Sequence, residues 1–319
     1  MRTIEHAFMQ RSTNNSLAIL LATYNGSAHI QEQIESIAMQ QDVEISLFVS
    51  DDGSTDDTRK IVENFGHDHR FKRVEISEGP QTGFANNFKK LILGVDEKFD
   101  YYAFSDQDDI WLPNRLTGAF ETLARLRPEI AGVSCGRTEI ISENGSTMGY
   151  SPLFAHPPGF RNAIVQSIAG GNTMILNNAA MRLLKFGCAR TDFLVHDWFC
   201  YLVVTGSGGV VVYDPSPTVR YRQHDHNLIG SNSSFKAKLK RIVMLFSGRF
   251  AGWNSQNIAA LEKLNELLTP DARQVLAEFK EARSAPLPRR LVLLRKSGVF
   301  RQSKPGTISL FVACLFKRL

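Results

Sequence analysis

The feature that most constrains this chain is an unbroken apolar run, Leu17-Ala18-Ile19-Leu20-Leu21-Ala22. A strand with apolar side chains on both faces needs cover on both, which points to a buried, mostly parallel sheet. Helical and strand periodicities then alternate along the chain. Ile30, Ile34 and Ile37 recur at helical spacing, Ile45 to Val49 reads as a second strand, and Thr58, Ile61, Val62 and Phe65 as a second helix behind a Ser54/Thr55 cap. Val74 to Ile76 is a third strand, Phe84, Phe88, Leu91 and Ile92 mark a third helix, and Tyr101 to Phe104 is a fourth strand. Pro113 is expected to open a helix carrying Leu116, Phe120 and Leu123. Strands alternating with single helices imply an α/β, doubly wound, mostly parallel, Rossmann-like sheet.

Ligands of such sheets collect beyond the carboxyl ends of the strands. Three polar runs come directly after apolar strands here: Thr23-Tyr24-Asn25-Gly26, Asp51-Asp52-Gly53-Ser54 and Ser105-Asp106-Gln107-Asp108-Asp109. They are expected to converge on one rim. Beyond residue 131 the pattern is mixed. Asn144-Gly145 signals a hairpin after Thr138 to Ile141. Gly170-Gly171 precedes a short strand, Thr173 to Leu176. Helices are expected near 178–187 and 197–205, strands at Val210 to Tyr213 and Thr218 to Tyr221, and a helical remainder broken by Pro286, Pro288 and Pro305.

Charge divides the chain. Residues 235–319 hold 17 Lys and Arg against 5 Asp and Glu, whereas residues 1–234 hold 20 against 27. The four cysteines show no paired metal-ligand spacing and read as reduced thiols of a cytoplasmic protein. Met1 to Ser16 lacks the apolar core of a secretory signal, and Ile308 to Phe316 is too short to span a bilayer. The expected division is a polar segment 1–16, a nucleotide-binding half 17–130, an acceptor-binding half 131–230 and a basic, mainly helical extension 231–319.

Three carboxylates within four residues, Asp106, Asp108 and Asp109, repel one another unless a cation is near. Hard ions such as Mg²⁺ or Mn²⁺ take oxygen ligands and bridge carboxylates to phosphates. A solvated acidic loop, with Asp109 capping the next helix, is the competing reading. Asp51 and Asp52 suit a ribose hydroxyl or a base N–H, although a capped turn would use the same residues.

In order and spacing these runs resemble glycosyltransferase family 2, the inverting enzymes of GT-A fold. Several segments resemble its rhamnosyltransferase-like branch: Ser105 to Trp111, His196-Asp197-Trp198 and Arg220-Tyr221-Arg222-Gln223-His224. The resemblance spans about residues 17–230. It implies that Thr23, Tyr24 and Asp52 contact the nucleotide base, with Asn25, Asp51, Gly83 and Asn87 completing the nucleotide-sugar site. Asp106 would serve the ribose or sugar. Asp108 would ligate the metal, His224 would be a further ligand, and Arg222 would neutralise the leaving diphosphate. An acidic base is placed at Asp197, with Gly170, Gly171, His196 and Trp198 around the acceptor or sugar. The implied donor is dTDP-rhamnose or a UDP- or GDP-sugar, and the implied acceptor a lipid-linked saccharide or growing polysaccharide such as O antigen. A nucleotidyltransferase is disfavoured, since Thr23 to His29 holds no Gly-rich phosphate loop. A noncatalytic nucleotide-sugar-binding protein is a third reading.

Lys236, Lys238, Lys240, Arg241 and Arg249 are interleaved with Ile242, Leu245, Phe246 and Phe250, and Arg289 to Lys296 repeats the theme. Such segments suit an anionic membrane surface, placing the protein at the inner face of the cytoplasmic membrane, or equally a packed helical extension with a basic face. No nucleic-acid module accompanies the charge, so no nucleic-acid partner is expected.

Overall fold

A computed structural model describes residues 15–223 and 248–319. Among these residues nine strands form one sheet, in the order β3-β2-β1-β4-β8-β6-β9-β5 with β7 beside β6. The first four are β1 (Asn15–Thr23), β2 (Val43–Asp51), β3 (Arg73–Glu78) and β4 (Tyr101–Ser105), all mutually parallel. The remaining strands are β5 (Ile110–Trp111), β6 (Gly132–Ser142), β7 (Thr147–Tyr150), β8 (Ile175–Asn177) and β9 (Val210–Gln223). Here the sheet is mixed: β8 runs antiparallel between β4 and β6, while β9 is parallel to β6.

Alternation along β1 divides the core. Ala18 and Leu20 face one apolar cluster, and Leu17, Ile19 and Leu21 face the other. The second cluster is covered by α1 (Ile30–Ala38), α2 (Thr58–Asn64) and α4 (Thr117–Ala124). The first is covered by α3 (Phe84–Gly94), α5 (Phe160–Ala163), α6 (Asn178–Cys188) and α7 (His196–Gly206). Four further helices join this same cluster: α8 (Arg249–Lys263), α9 (Pro270–Ser284), α10 (Leu287–Ser297) and α11 (Lys304–Leu315). They are bonded to the body as well as packed on it. Thr269 N–H donates to Gly206 O at 2.9 Å, and Arg161 makes a bidentate pair with Asp271 at 2.7 and 2.8 Å.

The prolines of the extension mark its breaks, Pro286 lying between α9 and α10, and they do so where helices start. Pro270 opens α9, Pro288 lies in the first turn of α10 and Pro305 in that of α11, where a missing N–H costs nothing. Pro113 does not open its helix: α4 begins at Thr117, after a turn in which Arg115 N–H donates to Leu112 O. Ser54 and Thr55 do not cap α2; Ser54 bonds Asp51 and Thr55 bonds Asn25. The two strands expected at 210–213 and 218–221 are one, whose register on β6 shifts between Gly136 and Thr138. The Asn144-Gly145 turn does join β6 to β7. No helix among the described residues is long and apolar enough to cross a membrane.

Candidate active site

The three polar runs meet at the carboxyl ends of β1, β2 and β4, and side chains lace them together. The Gln107 carboxamide accepts from Thr23 Oγ1 at 2.7 Å and from Tyr24 N–H at 2.8 Å, and donates back to Tyr24 O at 3.2 Å. Asn25, at φ 47°, receives Thr55 N–H on its side-chain oxygen at 2.8 Å and donates its own N–H to Ser54 Oγ at 2.8 Å. Tyr24 is left exposed beside this seam.

Asp51 and Asp52 differ in role. Asp51 is buried and accepts from Ser54 and from Arg59, so it builds the turn. Asp52 accepts Gln81 N–H at 2.6 Å and Gly83 N–H at 3.0 Å, which ties β2 to the entry of α3. Gly83 adopts φ 95°, a left-handed conformation that favours glycine. Buried Asn87 holds the end of β2 by donating to Ser50 O at 2.8 Å.

Across the rim, Asp197 lies in the first turn of α7, and its carboxylate accepts Gly171 N–H at 3.2 Å. Burial pushes this carboxyl up to about 6, against hydrogen bonds from Trp198, Gly171 and Ser167 that pull it down. Asp106 is pushed up to about 7 by burial and by the neighbouring charges of Asp108 and Asp197. The influence of Asp197 on Asp106 brings the end of β4 and the start of α7 to one acidic centre.

Asp109 caps no helix. It is buried, accepts Asn172 Nδ2 at 2.5 Å and Arg222 N–H at 3.3 Å, and burial with Asp106 and Asp108 nearby raises it well above the usual carboxylate range. Asn172 belongs to the 3-10 turn Gly171–Thr173. The buried Arg115 guanidinium grips that turn, donating to Asn172 O and Thr173 O at 2.9 Å each and lying 4.8 Å over the Trp111 ring. Burial lowers Arg115 to about 9. Behind the run, the Gln33 carboxamide is oriented to donate to Asp109 O and to accept from Ser105 and the Trp111 indole.

Three expected site residues sit differently from their assigned places. Arg222 is buried and each of its three nitrogens donates within the protein: Nε to Asp108 O at 3.1 Å, Nη1 to Glu143 O at 2.7 Å, Nη2 to Glu32 at 2.6 Å. It braces the acidic run from below. Trp198 is buried too, donating to Ala163 O at 2.6 Å and meeting Trp253 of α8 edge-on, so its ring offers no face to a sugar. His196 is wedged in the core, stacked on Phe88 at 3.7 Å and edge-on to Phe104, with neither ring nitrogen hydrogen-bonded among the described residues. Burial lowers it to about 3, which keeps it neutral. It lies so close beneath Gly171 that a Cβ there would collide with Nε2, and Gly170 is similarly crowded by Asn172. Both glycines thus shape the turn that feeds Asp197. His224 lies outside the described residues.

Among the described residues no three His, Cys, Asp or Glu side chains are grouped to hold a metal by themselves. The all-oxygen donor set does fit a hard cation shared with phosphates: the charge of Asp108 helps to raise both Asp106 and Asp109, and a positive charge would relieve this. Gln107, Asn172, Arg115 and Gln33 were not assigned roles from sequence. Each acts through a contact across the fold, and only the position of Gln107 within the acidic run hinted at one.

The family model described as Glycosyl transferase family 2 matches residues 18–182, which include every rim loop but end before α7. The chain is 36% identical over 235 residues to the dTDP-rhamnosyl transferase RfbG of Shigella flexneri, covering 70% of this chain and 78% of that one. It is 31% identical over 112 residues to the GalNAc(5)-diNAcBac-PP-undecaprenol beta-1,3-glucosyltransferase of Campylobacter jejuni, covering 34% of this chain and 33% of that one. The crystal structure of S. aureus TarS 1–349 in complex with UDP-GlcNAc superposes with a TM-score of 0.53 at 16% identity, over 88% of this chain and 90% of that one. At that identity the likeness speaks for the α/β GT-A fold.

Proposed function

We propose a rhamnosyl transfer for this chain, which belongs to glycosyltransferase family 2 and is a glycosyltransferase. The donor in this reading is dTDP-L-rhamnose, and the acceptor a lipid-linked or growing cell-surface polysaccharide. The name of the Shigella relative supports the donor, and that of the Campylobacter relative supports a lipid-linked acceptor. A UDP- or GDP-sugar is the alternative donor. The reaction belongs at the inner face of the cytoplasmic membrane, with residues 17–130 binding the nucleotide sugar, 131–230 the acceptor, and 231–319 extending the body.

One observation carries the mechanism: Asp197, held by Gly171 N–H, shares an acidic centre with Asp106 at the end of β4. A carboxylate raised to about 6 is ionised at neutral pH yet basic enough to take a proton. Asp197 removes the acceptor hydroxyl proton as that oxygen attacks the anomeric carbon. The bond from that carbon to the diphosphate breaks on the opposite face, and the configuration inverts. Asp106 orients the sugar or ribose. Thr23, Tyr24 and Asp52 receive the base, on a rim shaped by Asn25, Asp51, Gly83 and Asn87. Asp108, with His224 as a further ligand, would hold Mg²⁺ or Mn²⁺ against the diphosphate. That ion supplies neutralisation of the charge developing on the leaving group. Arg222 enters as the brace of Asp108 and Asp109, since contact with the diphosphate would cost its bonds to Glu32 and Glu143.

Asp197→Asn tests the assignment of the base: transfer should collapse while donor binding persists. Undiminished transfer would remove Asp197 from the mechanism.

A further inference from the structure

The last helix is apolar on two sides. Leu310, Ala313 and Cys314 of α11 are buried in the core, as a surface helix requires. On the opposite side Ile308, Val312 and Leu315 line up at helical spacing, with Phe316 next in the chain. Ile308 and Phe316 are more than 60% exposed, an unusual surplus for a helix whose inner face is already satisfied.

The charge around this stripe is one-sided. Residues 282–319 contain nine Lys and Arg and no Asp or Glu. Some of these serve the fold: Arg290 is buried against Ala285 O and Cys314 O, and Arg289 and Lys296 pair with Glu281 and Glu278 of α9. Lys304 and the pair Lys317-Arg318 lie exposed at the two ends of the stripe, with Arg295 exposed on α10.

We propose that this face of α11 docks on an anionic membrane surface, the apolar stripe entering the headgroup boundary and the flanking cations meeting lipid phosphates. Apolar side chains between basic ends are the pattern that partitions into an anionic interface. A second copy of the chain fits poorly, because a self-complementary contact here would bring two acid-free basic faces together. The proposal rests for its purpose on the lipid-linked acceptor. The extension is packed beside the base, since Trp253 of α8 meets Trp198, the neighbour of Asp197. A docked extension would therefore hold the acidic rim at a fixed orientation to the bilayer.

The test is sedimentation of the full chain with vesicles of phosphatidylglycerol and phosphatidylethanolamine, against vesicles of phosphatidylcholine alone. The wild type is expected to bind the anionic vesicles and not the neutral ones. Ile308→Glu/Leu315→Glu should weaken that binding by about tenfold or more, and Lys304→Glu/Lys317→Glu should weaken it and its sensitivity to salt. These positions are exposed, so a thermal melt matching wild type separates lost docking from lost folding. No binding by the wild type, or equal binding by the Ile308/Leu315 variant, overturns the proposal. So does a concentration-dependent dimer abolished by the same variant, which would give the face to a second copy. Thermal stabilisation by the nucleotide sugar, measured without vesicles, reports on the transferase reading separately.

Discussion

Asn172 Nδ2 donates to Asp109 Oδ2 at 2.5 Å, joining the turn that holds the candidate base to the acidic run proposed to receive the nucleotide sugar. Both residues are buried, and Arg115 fixes the same turn through two carbonyls. The proposed donor side and the proposed acceptor side therefore share one internal contact. Asn172→Ala removes the partner of a buried carboxyl oxygen. It should cost about 1–3 kcal/mol in chemical denaturation. It should also lower kcat more than it raises donor KM, because it disturbs the relation between the two sides and leaves the nucleotide pocket standing.

In the proposed mechanism Asp197 sets the pH dependence of transfer. With its carboxyl at about 6, the base is protonated and idle below that value and ionised above it. Transfer by the wild type should thus rise through about pH 6 and level off. Asp197→Asn should lose this limb, along with about 10²- to 10⁴-fold in kcat.

Stability should run the other way. Asp106 and Asp197 ionise at about 7 and about 6 in the fold against 3.8 in the open chain, so the folded state binds protons that the unfolded state has released. Their contribution is fully present below pH 3.8 and is lost as pH rises toward 7. The cation of the proposed mechanism would offset the loss. Mn²⁺ should therefore raise Tm more at pH 8 than at pH 5, and Asp108→Ala should remove that difference. Equal shifts at both values would place the ion elsewhere.

Gly171 is required by its neighbour, not by its backbone angle. A methyl group there collides with His196 Nε2. Gly171→Ala should destabilise the fold by about 1–3 kcal/mol. Combining it with His196→Ala should restore part of the loss, a non-additivity that two independent sites would not show. His196→Ala alone removes the ring stacked on Phe88 and should lower kcat by letting the first turn of α7 shift.

The rim was legible in sequence because its signals are local. An apolar run with polar residues after it marks a strand end wherever the sheet places it, as at Thr23, Asp51 and Ser105. The inner shell was not legible. Arg115 looked like an ordinary residue of a helix entry, yet its guanidinium reaches a turn 58 residues away. Asp109 reads as a helix cap until Asn172, 63 residues on, is seen to claim it. Trp198 beside the base suggests a sugar platform, and only the docking of α8 shows that the ring is taken. Arg222 likewise needed Glu32, which is 190 residues distant, to reveal it as a brace.

The donor decides the central claim. Thermal stabilisation and donor hydrolysis should be measured with dTDP-L-rhamnose and with UDP- and GDP-sugars, each with Mn²⁺. The rhamnosyl reading predicts that dTDP-L-rhamnose stabilises the protein most and is the donor hydrolysed; stabilisation and turnover confined to a GDP-sugar would contradict it.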